Sequence, residues 1–186
     1  MRRLMMMAGA LCAALVMSSG AFAQIPPDPN NPNEAVPDTV PFSMPYGEPI
    51  NLATAKKVAA AAIAEVAKRK WDNDFCVAVV GPGGSLTYFE KGDNCQYASV
   101  GISEHKARTA ARYRRPTVIF ERLRAKGFNF AYLPTLDDVI ASRGGNPLVV
   151  GGKIVGAIGV SGGTGSQDDT ISQAGAAALA GATASK

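Results

Sequence analysis

One histidine occurs in this chain, and a lysine follows it, in the run Gly101-Ile102-Ser103-Glu104-His105-Lys106-Ala107-Arg108-Thr109-Ala110. Wound as a helix at about 100° per residue, the run and its flanks put Val100, Ser103, Ala107, Ala110 and Ala111 on one side. Ile102, His105, Lys106, Thr109 and Tyr113 fall on the other, so an imidazole, an ammonium, a hydroxyl and a phenol gather in one place. An imidazole near neutral pH can move a proton or ligate a metal. The same pattern also describes a solvated face that happens to carry a histidine, or a histidine at a subunit contact.

The elements around this run must place it. Small residues on its alanine side let the helix lie close to a sheet. Asn51 is a fitting N-cap for a helix reaching about Lys70, with Leu52, Ala55, Ala59, Ala62, Ile63 and Val66 at three- and four-residue intervals. Phe75 to Val80 is a strand, Gly81-Pro82-Gly83-Gly84 turns the chain, and Ser85 to Glu90 is the returning strand. After the central helix, Pro116 forces a restart, and Val118 to Lys126 forms a short helix ended by Gly127. Thr135-Leu136-Asp137-Asp138 has the pattern of a capped helical turn. Leu148 to Val160, turning at Gly151-Gly152, is a second hairpin. Ser166 with Asp169 is expected to cap a last helix to about Leu179. The order α-β-β-α-α-β-β-α predicts an α+β domain, an antiparallel sheet flanked by helices.

Other chemistry is thinly supported. The loop Ser161-Gly162-Gly163-Thr164-Gly165 before a helix start can cradle an anion, or is simply a strand-to-helix turn needing glycine. It lacks the lysine of a P-loop and the spacing of a dinucleotide fingerprint. Asp137-Asp138 and Asp168-Asp169 suit helix starts. There is no Gly-x-Ser-x-Gly elbow, and one histidine allows at most one triad.

Arg2 and Arg3, the apolar run Leu4 to Val16 and the Ala21-Phe22-Ala23 end describe a signal peptide over residues 1–23, cut after Ala23. It is too short to span a bilayer. The expected location is periplasmic or secreted, with no membrane span. Removing the two arginines changes the balance from 19 basic against 15 acidic residues to 17 against 15, a net of +2. That excess argues against a nucleic-acid partner. Residues 24–47 form a proline-rich arm or tail, in which Val40, Phe42, Met44 and Tyr46 alternate and are read as lying across the domain or a neighbouring subunit. Residues 48–180 are the folded domain and 181–186 a tail. Of three cysteines, Cys12 leaves with the signal. Cys76 and Cys95 in an oxidising compartment are expected to form a structural disulfide; a free Cys95 would instead be a soft ligand.

Several motifs occur together: Val79-Val80-Gly81-Pro82-Gly83-Gly84, Asp93, Lys106 to Ala110, Arg115-Pro116-Thr117, Gly144-Gly145-Asn146-Pro147, and Gly156 to Gly163 followed by Gln167-Asp168. This set, from about Pro49 to Leu179, resembles the GlcG/HbpS-like haem-binding family, which includes the C-terminal domain of PduO-type proteins. Two places depart from it: Gly81 stands where an aspartate is usual, and Asp93-Asn94 where Asp-Gly is usual. The resemblance implies a profilin-like three-layer domain, assembly into homo-oligomers, haem as cofactor, and for some exported members a part in redox or iron sensing.

With that implication, His105 becomes the candidate axial ligand of haem iron, and Lys106, Arg108, Thr109, Arg112 and Tyr113 complete the candidate haem-binding face, the cations suiting propionates. The rival readings are a cofactor-free enzyme acting on a small oxygenated acid or aromatic, with His105, Lys106 and Tyr88 as acid/base candidates, and a structural oligomer whose shared face is an interface.

Overall fold

The computed structural model describes residues 44–72 and 74–179. The proposed signal peptide, the arm up to residue 43 and the C-terminal tail lie outside the described residues. The elements are α1 (Leu52–Lys68), β1 (Cys76–Val80), β2 (Leu86–Lys91), α2 (Tyr97–Arg112), α3 (Val118–Ala125), two 3-10 turns (Phe128–Phe130 and Leu133–Thr135), β3 (Gly145–Val150), β4 (Lys153–Ser161) and α4 (Gly165–Ala177). The four strands form one antiparallel sheet in the order β2-β1-β4-β3. This is the expected α+β architecture.

Strand alternation sorts the residues into layers. Val77 and Val79 of β1, with Ile158 and Val160 of β4, pack against Val58, Ala62 and Val66 of α1 and Ile171 of α4. The intervening Ala78, Val80 and Ala157 meet Ala107, Ala110 and Ala111 of α2 on the opposite face. That second interface is built of small side chains, and at Gly159 the two backbones come so close that a Cβ would run into the Ser103 carbonyl and the backbone of Ala107. The alanine side of α2 therefore faces the sheet, as its sequence predicts.

Local signals account for most boundaries. Asn51 caps α1, its Oδ1 accepting from Thr54 N at 2.9 Å. Gly151 and Gly152 have φ of 55° and 74° at the β3–β4 turn, as a two-residue hairpin requires. Cys76 and Cys95 are disulfide-bonded with Cα atoms 6.0 Å apart, tying the start of β1 to the entry of α2; Cys95 is thus no free ligand. Two expectations are corrected. The cap of α4 is Thr164, in a reciprocal capping box with Gln167, not Ser166 with Asp169. The helical turn expected at Thr135–Asp138 ends at Thr135, and Asp138 adopts φ 58°.

The segment entering the fold lies across the domain itself. Ile154 N donates to Pro45 O at 2.9 Å and Gly47 N to Ile154 O at 2.8 Å. Tyr46 Oη then donates to the last carbonyls of α2, Ala111 O at 3.1 Å and Arg112 O at 2.9 Å, satisfying acceptors that a helix end leaves open.

Candidate functional site

The outer flank of α2 is organised around one carboxylate, Asp138. Its side chain accepts from Arg108 Nε at 3.1 and 3.0 Å and from Arg112 Nη1 at 3.0 Å. Nε2 of His105 lies 3.3 Å from Oδ1 of the same group. The backbone is held as well: Thr109 Oγ1 donates to Asp138 O at 2.9 Å and accepts from Ile140 N at 3.1 Å. Tyr113 Oη donates to Asp137 O at 2.6 Å, and Arg112 Nη2 reaches Asp137 Oδ2 at 3.3 Å. His105, Arg108, Thr109, Arg112 and Tyr113 are therefore brought together around the Asp137–Asp138 loop. The Asp138 hydrogen bond is the main reason the Arg112 guanidinium is held above its ordinary pKa.

The two nitrogens of His105 differ. The side chain is 32% exposed, yet Nε2 is buried and makes no aligned hydrogen bond. The accessible polar atom of the ring is therefore Nδ1. Proteins commonly orient a ligating histidine by a hydrogen bond from its second nitrogen to a carboxylate; Asp138 is near enough to serve, though Nε2 and Oδ1 are not aligned as a hydrogen bond here.

Lys106 does not share this face. It is buried, with Nζ 2.7 Å from Asp168 Oδ2 and 3.0 Å from Val160 O. The helical-face reading set it beside His105; the structure corrects this, because a lysine four residues before Ala110 and three after Ser103 sits on the buried stripe, where its ammonium has found a carboxylate. Thr109, also buried, is an internal clamp. Burial raises the Asp168 carboxyl pKa, with the Lys106 ammonium opposing. Neighbouring Asp169 is raised by burial too, against hydrogen bonds from Asn146 Nδ2 at 3.2 Å and Gln173 Nε2 at 2.7 Å.

Tyr88 lies apart. It packs against the α1 side of the sheet, donating to Glu90 Oε2 at 3.1 Å, and burial is the first cause of its raised pKa. His105, Lys106 and Tyr88 thus occupy the outer flank, the core and the far face of the sheet. They form no acid/base constellation.

Two surface clefts lie away from the α2 flank. One of about 610 Å³ is lined by Glu121, Ser142, Arg143, Thr164, Gly165 and Ser166. The other, of about 260 Å³, lies at Lys91 and Asp93 to Tyr97. Sequence reasoning missed Asp138 and Arg143. Asp138 looks like one of two acids opening a helix; the only signal for its role is that Arg108 and Arg112, one helical turn apart, need a shared anion.

A four-stranded antiparallel sheet with two helices on one face and a small-residue helix on the other defines the class of domain. The chain belongs to the family described as "Haem degrading protein HbpS-like", which matches residues 50–177. It is 40% identical to Protein GlcG of Escherichia coli (strain K12) over 108 residues, 58% of this chain and 77% of that protein. The solved structure of HbpS is 28% identical, with a TM-score of 0.64 over 76% of this chain and 97% of that one. The structure titled as a PduOC:heme complex is 22% identical, with a TM-score of 0.63 over 70% of this chain and 95% of that one, a likeness of fold alone.

Proposed function

We propose that this protein is an exported haem- or tetrapyrrole-binding protein that uses His105 as the iron ligand and works as a homo-oligomer. Membership of the HbpS-like family supports the ligand class. The observation that carries the reading is the setting of the imidazole: His105 is partly exposed, and its Nε2 lies 3.3 Å from the Asp138 carboxylate beside Arg108 and Arg112.

The donor set fits haem at the ligand and at the periphery. His105 supplies an imidazole, and Arg108 and Arg112 are the nearest cations for propionates, once they exchange part of their pairing with Asp138. Lys106 is withdrawn from that list, being committed to Asp168. Bound haem would supply redox-active iron; the protein's part is to hold the ring of His105 with Asp138 and to fix the loop at Asp137–Asp138 through Thr109 and Tyr113. The reading includes a second subunit as the opposite wall of the haem site. Phe128, 92% exposed, and Tyr132, 50% exposed, are aromatic surfaces that assembly would cover.

The test is an absorption spectrum and iron content of the protein as purified, followed by haem titration. A saturable Soret shift at a fixed ratio of haem to subunit supports the reading. A spectrum equal to that of free haem at every ratio overturns it.

A further inference from the structure

Glycines inside the regular elements of this fold mostly have a neighbour that explains them. In α4, a Cβ on Gly175 would stand 2.5 Å from Ile158 Cδ1, and in β4 a Cβ on Gly156 would run into the Val80 carbonyl. Gly101 has no such neighbour. It lies inside α2, in the turn after Tyr97 opens the helix. No positive φ asks for glycine there, and a Cβ would meet no described atom within 4 Å outside its own turn of helix. Glycine destabilises a helix interior relative to alanine, so α2 carries a weak point that no contact among the described residues requires.

The position of Gly101 on the helix supplies a reason. Gly101 and Ile102 precede His105 by four and three residues, so they share its side of α2, about 6 Å nearer the helix start. Ala98 and Gly101 are exposed and Ile102 is partly so. Toward the helix end the same side carries Arg108 and Arg112, with side chains 33% and 41% exposed and both paired with Asp138. The imidazole therefore stands between an uncharged half, with a gap at Gly101, and a cationic half. The rim of haem is divided in the same way, with methyl and vinyl groups on one side and the propionates on the other.

We infer that Gly101 is the clearance residue of the haem site: the bare backbone of α2 admits the apolar rim of the porphyrin over Gly101 and Ile102, while the propionates face Arg108 and Arg112. This rests on the haem reading with His105 as ligand, and adds the direction in which the ring lies and the residue that makes room for it. A second copy of the chain crossing at Gly101 would also use the gap. The separation of uncharged from cationic residues about His105 favours the porphyrin.

The test is haem titration of the full chain and of its Gly101→Ala and Gly101→Leu variants, followed at the Soret band. Urea unfolding and size-exclusion chromatography of the haem-free proteins accompany it. Position 101 is open and both replacements are better helix formers than glycine, so the urea midpoints should not fall. Haem affinity should drop with side-chain size, slightly for Gly101→Ala and by roughly tenfold or more for Gly101→Leu, a clash that only the ligand meets. Arg112→Gln should weaken binding of haem but not of haem dimethyl ester, which has no free carboxylates. Parent-like affinity in Gly101→Leu overturns the proposal, and a Soret shift lost in His105→Ala alone would then leave the iron ligand standing. Loss of haem together with dissociation of the haem-free oligomer assigns Gly101 to a subunit contact and overturns it too. So does Arg112→Gln affecting haem and its dimethyl ester alike. No Soret shift in the parent removes the haem reading and this inference with it.

Discussion

Nε2 of His105 stands 3.3 Å from Oδ1 of Asp138, across 33 residues of chain, and the same carboxylate gathers Arg108 and Arg112. The outer flank of α2 is thus a pinned polar surface: the loop at Asp137–Asp138 is held by side chains from successive turns of the helix, and the imidazole lies against it.

Asp138→Asn separates orientation from folding. Asparagine tolerates the left-handed backbone that Asp138 adopts at φ 58°, yet carries no charge. Because the arginine partners are partly exposed, unfolding stability should fall by only about 1 kcal/mol. Haem affinity should fall by roughly ten- to a hundredfold, as when a ligand's supporting carboxylate is lost. Urea unfolding and haem titration on one preparation check both.

The buried Lys106–Asp168 pair should behave differently. Lys106→Met leaves a carboxylate in the core without its cation and should cost about 3–5 kcal/mol. Removing both charges, Lys106→Met with Asp168→Leu, should cost less than the sum of the single changes. Urea midpoints over this double-mutant cycle measure the coupling.

Most of the fold was legible because it rests on local signals: the Asn51 cap, the Gly151-Gly152 turn, the apolar run from Phe75 to Val80. The site was less so. Polarity suggests that Lys106 and Thr109 face water, whereas the spacing from Ser103 to Ala107 and Ala110 places Lys106 on the buried stripe. Only a partner 62 residues away decides between those, and no window along the chain contains it. Tyr88 was misjudged for a related reason: the two faces of a sheet cannot be told apart from one strand.

Asp169 gives a pH dependence whose sign follows from burial. Its folded-state pKa lies above the ordinary carboxylate value, desolvation being the first cause. Between those two values the folded state holds a proton that the unfolded state has lost, so this group's contribution to stability falls as pH rises through the window. Asp169→Asn should flatten the curve there, measured as urea midpoints from pH 4 to 7.

The disulfide closes a loop with a sequence separation of 19. In the chain-entropy account, replacing Cys76 and Cys95 by alanine should cost about 3 kcal/mol. Urea unfolding of the double variant beside the oxidised protein checks this. Because the bridge anchors the entry of α2 rather than its outer flank, haem binding by the folded fraction should persist.

The most direct test of the account is the absorption spectrum of His105→Ala during haem titration, compared with the parent protein under the same conditions. Loss of the parent's Soret shift, with an unchanged circular dichroism spectrum, is the predicted result. A Soret shift of the same position and stoichiometry in His105→Ala would contradict it and assign the iron to another side chain.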